Sequence, residues 1–370
     1  MNKEHQKAKK IDKVYLVSVL LLAIGGFFVF SSASLGLLAR NDIVFQSVTL
    51  TQSIGLALGL IAFFILSKVN YKYFRRYALY LLILAILVNL LLFIPALTLT
   101  HGGASRWIDL GFITFQPSEF LKIAFIIYFA TWLSGAKEEV ATWRFGILPY
   151  IVIVGVLSLL LLKQNDLDTI IVISGTGLAM LFSAGARIKD FVVLILLMAL
   201  LLAVAIYFKP HARERISTFI NPSADVQGGG YQIKQSLIAI GSGGIAGRGY
   251  GQSVQKFNYL PEPIGDSIFA VQAEEFGFIG SIALLGLYLL FLFRSFKIAV
   301  RSPDSFGGLV VVGIAILTIV ESFMNISSML GIIPLSGMPL LFVSHGGTAL
   351  IIILGASGII ANVSRYQKPL

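Results

Sequence analysis

The sequence predicts an all-α polytopic membrane protein with about ten transmembrane helices, folded as a single integral membrane domain over residues 1–370. Hydrophobic residues make up 57% of the chain and charged residues only 12%, whereas a soluble domain has about 25% charged residues. Apolar runs of bilayer length recur along the whole chain, and such runs are typical of transmembrane helices. This composition leaves too little polar surface for a water-soluble globule.

Ten apolar runs are the predicted spans. They cover residues 14–36, 46–67, 77–98, 118–134, 146–162, 169–184, 190–208, 267–293, 306–327 and 344–363. The first run follows a cluster of lysines, as in a signal peptide. It is too long for the apolar core of one and further spans follow, so we expect an uncleaved anchor. The stretch 209–265, between the seventh and eighth spans, predicts a large extracytoplasmic loop.

The basic residues orient these spans. With the N-terminus inside, most of the 28 lysines and arginines fall in loops on the inner side, as the positive-inside rule expects. An odd number of spans would place Arg365 and Lys368 outside, so we predict that both termini are cytoplasmic. The net charge of +10 follows mostly from this bias, and we predict no nucleic-acid partner.

Composition also excludes several kinds of site. The chain has no cysteine, which rules out disulfides and thiolate chemistry. Its four histidines lack the spacing of a metal site such as HExxH, and they are His5, His101, His211 and His345. We therefore predict no metal site built from protein side chains.

The outer loop carries an excess of positive charge. Its acids are Glu214, Asp225 and Glu262, and its basic residues are Lys209, Arg213, Arg215, Lys234, Arg248 and Lys256. Long loops obey the positive-inside rule weakly, so the excess can be neutral drift. The alternative is a positive surface that attracts an anionic ligand at the outer face.

The first motif lies just before and within the fourth span. The run His101–Gly111 includes Arg106, and Gln116-Pro117-Ser118-Glu119 follows it. Proline suits the first turn of a helix, and Glu119 and Lys122 share one helix face because they are three residues apart. Such an ion pair either lines an aqueous cavity or fixes helix packing.

Two further motifs lie on the outer side. Gln164–Thr169 places Asp166 and Asp168 at a helix start, where a carboxylate caps the helix or serves in catalysis. The glycine-rich run Gly241–Gly251 is similar to a phosphate loop but lacks the strand and helix that flank one. A turn-rich loop is the default there, and contact with a lipid diphosphate is the alternative.

Asp266 is the candidate general base. It follows Pro261-Glu262-Pro263 and begins the eighth span at the outer interface. A partly desolvated carboxylate in such a place suits a general base. Glu274 and Glu275 lie deeper in the same helix, and at about 100° per residue they cannot both face the side of Asp266.

The last motif, Ser344-His345-Gly346-Gly347, opens the tenth span at the outer face. A histidine titrates near neutral pH, which would suit proton transfer. A lone histidine is more often a structural residue that forms hydrogen bonds, and both interpretations stay open.

In this order and at this spacing, the motifs resemble the SEDS (shape, elongation, division, sporulation) family of the FtsW/RodA kind over essentially the whole chain. The similar stretches are Ser31–Ser34, Arg106-Trp107, Gln116–Glu119, Gln164–Thr169, Gly230–Gln232, Gln235-Ser236, Ile238–Gly244, Leu260–Ala270, Glu274-Glu275 and Val343-Ser344. The resemblance implies the SEDS-type fold of ten helices with a large outer loop between the seventh and eighth. The stretch 255–267 is more similar to FtsW than to RodA.

The resemblance also implies roles for particular residues. Asp266 matches the family's essential aspartate, Arg106 matches its arginine beside a tryptophan, and Glu119 with Lys122 matches its Glu–Lys pair. We expect the substrate to be bound by Arg106, Glu119, Lys122, Arg213, Arg215, Glu262, Ser344 and His345. A divalent cation carried on the substrate diphosphate is a further expectation.

Three stretches depart from the family's usual pattern. The usual QPDLGT reads Gln164-Asn165-Asp166-Leu167-Asp168-Thr169 here, Thr-Asp-Phe reads Gly265-Asp266-Ser267, and Ser-Tyr-Gly-Gly reads Ser344-His345-Gly346-Gly347. The departures change the surroundings of the motifs, but the aspartate is kept.

The resemblance implies a peptidoglycan glycosyltransferase of the bacterial inner membrane that polymerises lipid II with inversion and releases undecaprenyl diphosphate, in cell division or cell-shape maintenance. The implied partners are lipid II, the undecaprenyl-linked nascent glycan and a class B penicillin-binding protein. A lipid II flippase is one alternative, because Glu274, Glu275 and Glu321 put charge inside the bilayer. A non-catalytic scaffold for the penicillin-binding protein is the other.

Overall fold

The computed structural model describes residues 10–38, 42–101, 104–109, 114–225 and 228–368. Helices dominate these ranges, with three short strands before the fourth helix. The α-helices are α1 (Lys13–Ser34), α2 (Asp42–Leu66), α3 (Lys72–Leu90), α4 (Pro117–Ala136), α5 (Leu148–Lys163), α6 (Leu167–Ser183), α7 (Ile188–Phe208), α8 (Pro210–Ile220), α9 (Gly229–Ser242), α10 (Ile268–Val300), α11 (Ser305–Met329) and α12 (Gly347–Ser364).

Ten of the twelve α-helices in the described ranges correspond one by one to the predicted spans. In the described ranges, 9 helical stretches are long and apolar enough to cross a membrane. The remaining predicted span is α6, which is apolar but has only 17 residues, as its short apolar run indicated. The short helices α8 and α9 lie in the predicted outer loop. The prediction of an all-α polytopic fold with about ten membrane helices is therefore confirmed.

Both ends of the described chain lie at the same end of the helix bundle. The backbone N–H of Asp12 donates to the hydroxyl of Ser364 at 3.1 Å, and the Asp12 carboxylate pairs with Arg294, near the end of α10, at 2.7 Å. The N–H of Lys368 donates to the carbonyl of Arg301 at 3.0 Å. The chain thus returns to the side on which it began, as an even number of spans requires.

The centre of the bundle is formed by α4, α11 and α12, which are mostly buried. Helix α11 packs against α4, α6, α10 and α12, and α12 also packs along α2. Helix α7 is almost wholly exposed and packs mainly against α6 and α8. Leu202, Ile206 and Phe208, near the end of α7, line the cavity of the candidate site.

A small antiparallel sheet precedes α4, and the sequence did not predict it. Its strands β1 (Thr98–His101), β2 (Ala104–Asp109) and β3 (Thr114–Phe115) pair in the order β1-β2-β3. Strands of two to six residues show too little alternation to be recognised by period. The sheet matters for function because β2 carries Arg106.

The glycine-rich segment after α9 forms turns that pack into a break in α10. Gly277 has φ 64° and ψ −162°, so the helix is interrupted there, and the freed N–H groups of Phe278 and Ile279 donate to the carbonyls of Gly244 and Ile245. Side chains complete the attachment. Lys256 pairs with Glu275 at 2.7 Å, and the Ser253 hydroxyl donates to Glu274 at 2.6 Å.

Candidate active site

A cavity of about 1220 Å³ opens at the end of the bundle where α6, α8 and α10 begin. Arg106, Asp168, Arg215, Glu262, Asp266 and His345 contribute its polar wall. Apolar side chains from α6, α7 and α11, among them Ile171, Ile206 and Met324, form the rest of the lining. The cavity thus joins a charged region to an apolar one.

The backbone around Asp266 is held from two sides. Asn325 in α11 donates from one amide nitrogen to the carbonyl of Asp266 at 2.7 Å and to that of Met338 at 2.8 Å. The hydroxyl of Ser344 donates to the carbonyl of Gly265 at 2.8 Å, and the N–H of His345 donates to that of Ile264 at 2.7 Å. These bonds place the half-buried carboxylate at the cavity wall.

Two arginines lie close to Asp266 without pairing with it. A Cβ added at Gly337 would stand 3.8 Å from Oδ2 of Asp266, 3.7 Å from Nη2 of Arg215 and 3.9 Å from Nη1 of Arg106. Within the described part of the chain, however, no cation lies within 4.0 Å of the Asp266 carboxylate. A side chain at position 337 would stand among all three groups.

Burial raises the pKa of Asp266 to about 7, and the negative charges of Glu262 and Asp168 add to the rise. Arg215 and Arg106 oppose it. Because a general base works best when its pKa lies near the working pH, Asp266 is suited to take a proton at neutral pH.

Arg106 is tied to the turn before α6. Its Nη2 donates to the carbonyl of Asn165, and its Nη1 lies 3.7 Å from Oδ1 of Asp166. Asp166 also caps α6, because its carboxylate accepts from the N–H of Thr169 at 3.3 Å and from the Thr169 hydroxyl at 2.8 Å. The N-capping interpretation therefore holds for Asp166.

Asp168 has a different role from Asp166. Its Oδ2 accepts from Nη1 of Arg215 at 2.9 Å and from the N–H of Gly337 at 3.3 Å. The side chain thereby connects α6 to α8 and to the segment between α11 and α12. Only 8% of it is exposed.

The other residues predicted on the outer side lie in different surroundings, and only some of them line the cavity. Glu262 lines the cavity in a tight turn with φ 46°, a conformation that is uncommon for a residue other than glycine. Arg213 is exposed and lines a separate pocket of about 260 Å³.

The segment before α12 carries the other two predicted residues. The Ser344 hydroxyl donates to the carbonyl of Gly265 and accepts from the N–H of Leu340. The His345 ring packs on Phe30, and burial lowers its pKa.

Glu119 and Lys122 lie inside the bundle as part of a buried triad. The Lys122 ammonium is 2.8 Å from Oε1 of Glu119 and 2.7 Å from Oε2 of Glu321 in α11. The side chains of Glu119 and Lys122 do not line the cavity in this conformation. Their predicted contact with substrate stays a prediction, and the geometry shows a link between α4 and α11.

Four residues of this region were not assigned to the site from the sequence. Glu321 was named only as a charge inside the bilayer. Asn325, one turn further along the same span, could have been found because polar side chains in an apolar span usually have partners. Asp168 was named with Asp166 as a cap or a catalytic candidate, but its contacts with Arg215 and Gly337 were not predicted. Gly337 could not be recognised from the sequence, because its proximity to Asp266, Arg215 and Arg106 arises only in the folded chain.

Comparisons with known proteins agree with this arrangement. The model of the cell cycle protein family of FtsW, RodA and SpoVE matches residues 12–369. Stage V sporulation protein E of Bacillus subtilis is 38% identical over 353 residues, covering 95% of this chain and 96% of that protein. A probable peptidoglycan glycosyltransferase FtsW of Geobacter metallireducens is 35% identical over 355 residues, covering 96% and 94%.

The fold is also that of a solved relative. A chain of a peptidoglycan synthase complex, solved to explain the structural coordination of polymerization and crosslinking, is 27% identical with a TM-score of 0.79. The similarity covers 96% of this chain and 98% of that one. Because the family model matches nearly the whole length, this chain belongs to the FtsW/RodA/SpoVE family of cell cycle proteins, the SEDS family that its motifs predicted.

Proposed function

We propose that this protein is a peptidoglycan glycosyltransferase that polymerises lipid II into glycan strands, in cell division or in the maintenance of cell shape. The observation that supports this most directly is the cavity, where the carboxylate of Asp266 lies beside Arg106 and Arg215 but forms no ion pair with any residue in the described ranges. Its charged and apolar walls suit a substrate that has a diphosphate and sugars at one end and a lipid at the other. The relatives named as glycosyltransferases support the same activity.

The proposed reaction is a single displacement with inversion. The 4-hydroxyl oxygen of the acceptor sugar bonds to the anomeric carbon of the growing chain, and the bond from that carbon to the diphosphate oxygen breaks. The diphosphate leaves with the electron pair as undecaprenyl diphosphate, and Asp266 takes the hydroxyl proton. Arg106 and Arg215 stabilise the negative charge that develops on the leaving group.

Partner and location complete the proposal. The protein works in the bacterial inner membrane with the cavity outside, and a class B penicillin-binding protein crosslinks the strands that it makes. The solved relative from a synthase complex supports such a partner. A divalent cation carried on the substrate diphosphate is also proposed, and polymerisation measured with and without EDTA tests it.

The flippase and scaffold alternatives have less support. A flippase would need carboxylates that line a path through the bilayer. Glu275 instead forms an ion pair with Lys256, and Glu321 forms one with Lys122. A scaffold would have no need of a half-buried aspartate at the wall of a cavity.

The test is Asp266→Asn in purified protein with its penicillin-binding partner and labelled lipid II. The change is nearly isosteric and removes charge and basicity, so we expect polymerisation to fall by about 10²–10⁴-fold. Glycan strands are measured by gel. Asp190→Asn, the same chemical change at the other end of the bundle in the first turn of α7, is the matched control and should retain the wild-type rate.

The three functions give different results. A flippase would lose lipid II translocation in the Asp266→Asn variant and would make no strands in either form. A scaffold would keep its partner bound and lose nothing measurable. Near wild-type strands from the variant would remove Asp266 from the proposed role.

A further inference from the structure

Asp168 lies where three elements of the cavity meet. It is in the first turn of α6, and its Oδ2 accepts from Arg215 in α8 and from the backbone of Gly337. The family pattern that this chain resembles has glycine at this position, so the contact cannot be made by a side chain there.

The contact determines which way Arg215 faces. Its Nη1 is bonded to Asp168 at 2.9 Å, while its Nη2 lies near the place beside Gly337 that Asp266 also faces. Because the donors of arginine form a rigid planar fork, the bond at Nη1 fixes the direction in which Nη2 points. Arg215 is therefore next to Asp266 but is not its ion-pair partner.

We propose that Asp168 is a positioning residue that anchors Arg215 beside Asp266 and keeps the two from pairing, so that Asp266 stays free to accept the proton and the outer nitrogen of Arg215 stays free for the diphosphate. This assignment rests on the proposed glycosyltransferase function. The assignment concerns the protonation of Asp266, which can be followed by measuring the polymerisation rate at different pH values.

The charged groups around Asp266 come from several elements. Glu262 precedes α10, Asp168 belongs to α6, Arg215 to α8 and Arg106 to β2. Helix α11 contributes the neutral Asn325, and the segment before α12 contributes His345, whose pKa is lowered by burial. Loss of the Asp168 charge removes a repulsive neighbour and releases Arg215, and both changes favour the ionised form of Asp266.

The experiment is the pH profile of kcat/KM for lipid II polymerisation by the full chain with its partner. In Asp168→Asn we expect the acidic limb to move to lower pH by about one pH unit, as loss of one close like charge predicts. The plateau should fall, because a displaced Arg215 supports the leaving group poorly. Asp190→Asn, at the other end of the bundle in the first turn of α7, is the control, and the acidic limb of its profile should coincide with that of the wild type.

Two more variants test the charge of residue 168 and the effect of Arg215 separately. Asp168→Glu retains the charge and should keep the limb near its wild-type position. Arg215→Gln removes a cation that opposes protonation, so its limb should move to higher pH, even if Asp168→Asn were to fold poorly. The assignment is overturned if the acidic limb of the Asp168→Asn profile lies at the same pH as that of the wild type. It is also overturned if the acidic limb of the Arg215→Gln profile does not move to higher pH.

Failure of the proposed function would look different. Wild-type protein that makes no glycan strands from lipid II would contradict the glycosyltransferase itself. Strands from the wild type together with unshifted limbs in the variants would reject only the role of Asp168.

Discussion

Asn165 shows how one substitution in a motif is tied to backbone geometry. It stands where the family's usual pattern has proline, and its φ is 57°. Proline is locked near φ −65° and cannot adopt this conformation, whereas asparagine does so more readily than most residues. The carbonyl of Asn165 accepts from Arg106 and its side chain accepts from Lys209 at 2.8 Å, so the altered turn supports the site.

Asn165→Pro should therefore destabilise the protein by more than about 1 kcal/mol, because the native φ is closed to proline. Its N–H bond to the Leu162 carbonyl would also be lost. Asn165→Gly is the control, since glycine allows a positive φ. Thermal unfolding in detergent measures both. A proline variant as stable as the glycine variant would mean that the turn rearranges freely.

The wild-type pH dependence is a second prediction at the residue scale. The pKa of Asp266 is raised to about 7, and a general base acts in its ionised form, so activity is present above this pH and is lost as the pH falls through it. Below it, kcat/KM should fall about tenfold per pH unit. Circular dichroism at each pH checks that the fold is intact. An acidic limb near the ordinary value of an aspartate would contradict the raised pKa.

At the scale of elements, α4 and α11 are joined by charge inside the bundle. Lys122 lies between Glu119 and Glu321, and all three side chains are buried. The expected Glu–Lys pair is thus a triad, and one cation balances two carboxylates. Removing the cation leaves two uncompensated charges, whereas removing Glu119 still leaves one pair.

Lys122→Met should accordingly cost about 3–5 kcal/mol, as breaking a buried ion pair does, and Glu119→Gln should cost clearly less. The double variant should show a coupling of about 0.5–3 kcal/mol. Stability in detergent and polymerisation activity are both measured. Additive effects of the two substitutions would count against an energetic link between these side chains.

For the whole molecule, the two ends of the described chain share a side, and the cavity lies at the opposite end. The contacts of Asp12 with Ser364 and Arg294 place the beginning of α1 beside the ends of α10 and α12. The distribution of basic residues predicts that this side is cytoplasmic. We therefore predict that the cavity faces outward, the side on which the proposed polymerisation takes place.

Reporter fusions test this orientation. Fusions after Lys137, Lys189 and the C-terminus should be fluorescent with green fluorescent protein and inactive with alkaline phosphatase, which needs the oxidising exterior. A fusion after Asp225, in the outer loop, should behave in the opposite way. A C-terminus that supports phosphatase activity would reject the even number of spans.

The sequence by itself determined the fold class, the number and order of the spans and the position of the candidate base. Hydrophobicity and basic charge act locally, so each span and its orientation can be read within a short window. Asp266 was identified in the same way, because it begins a span and follows a proline-rich turn.

The tertiary structure alone decided how the charged groups are paired. Arg215 meets Asp168 across 47 residues, Lys122 meets Glu321 across 199, and Gly337 meets Asp168 across 169. Pairings over such distances follow from helix packing, which no local pattern contains. The same packing distinguishes Asp266, which forms no ion pair within the described part of the chain, from Asp168 and Glu321, which do. The physical reason is that a carboxylate's chemistry depends on its neighbours and its burial, and both are properties of the folded chain.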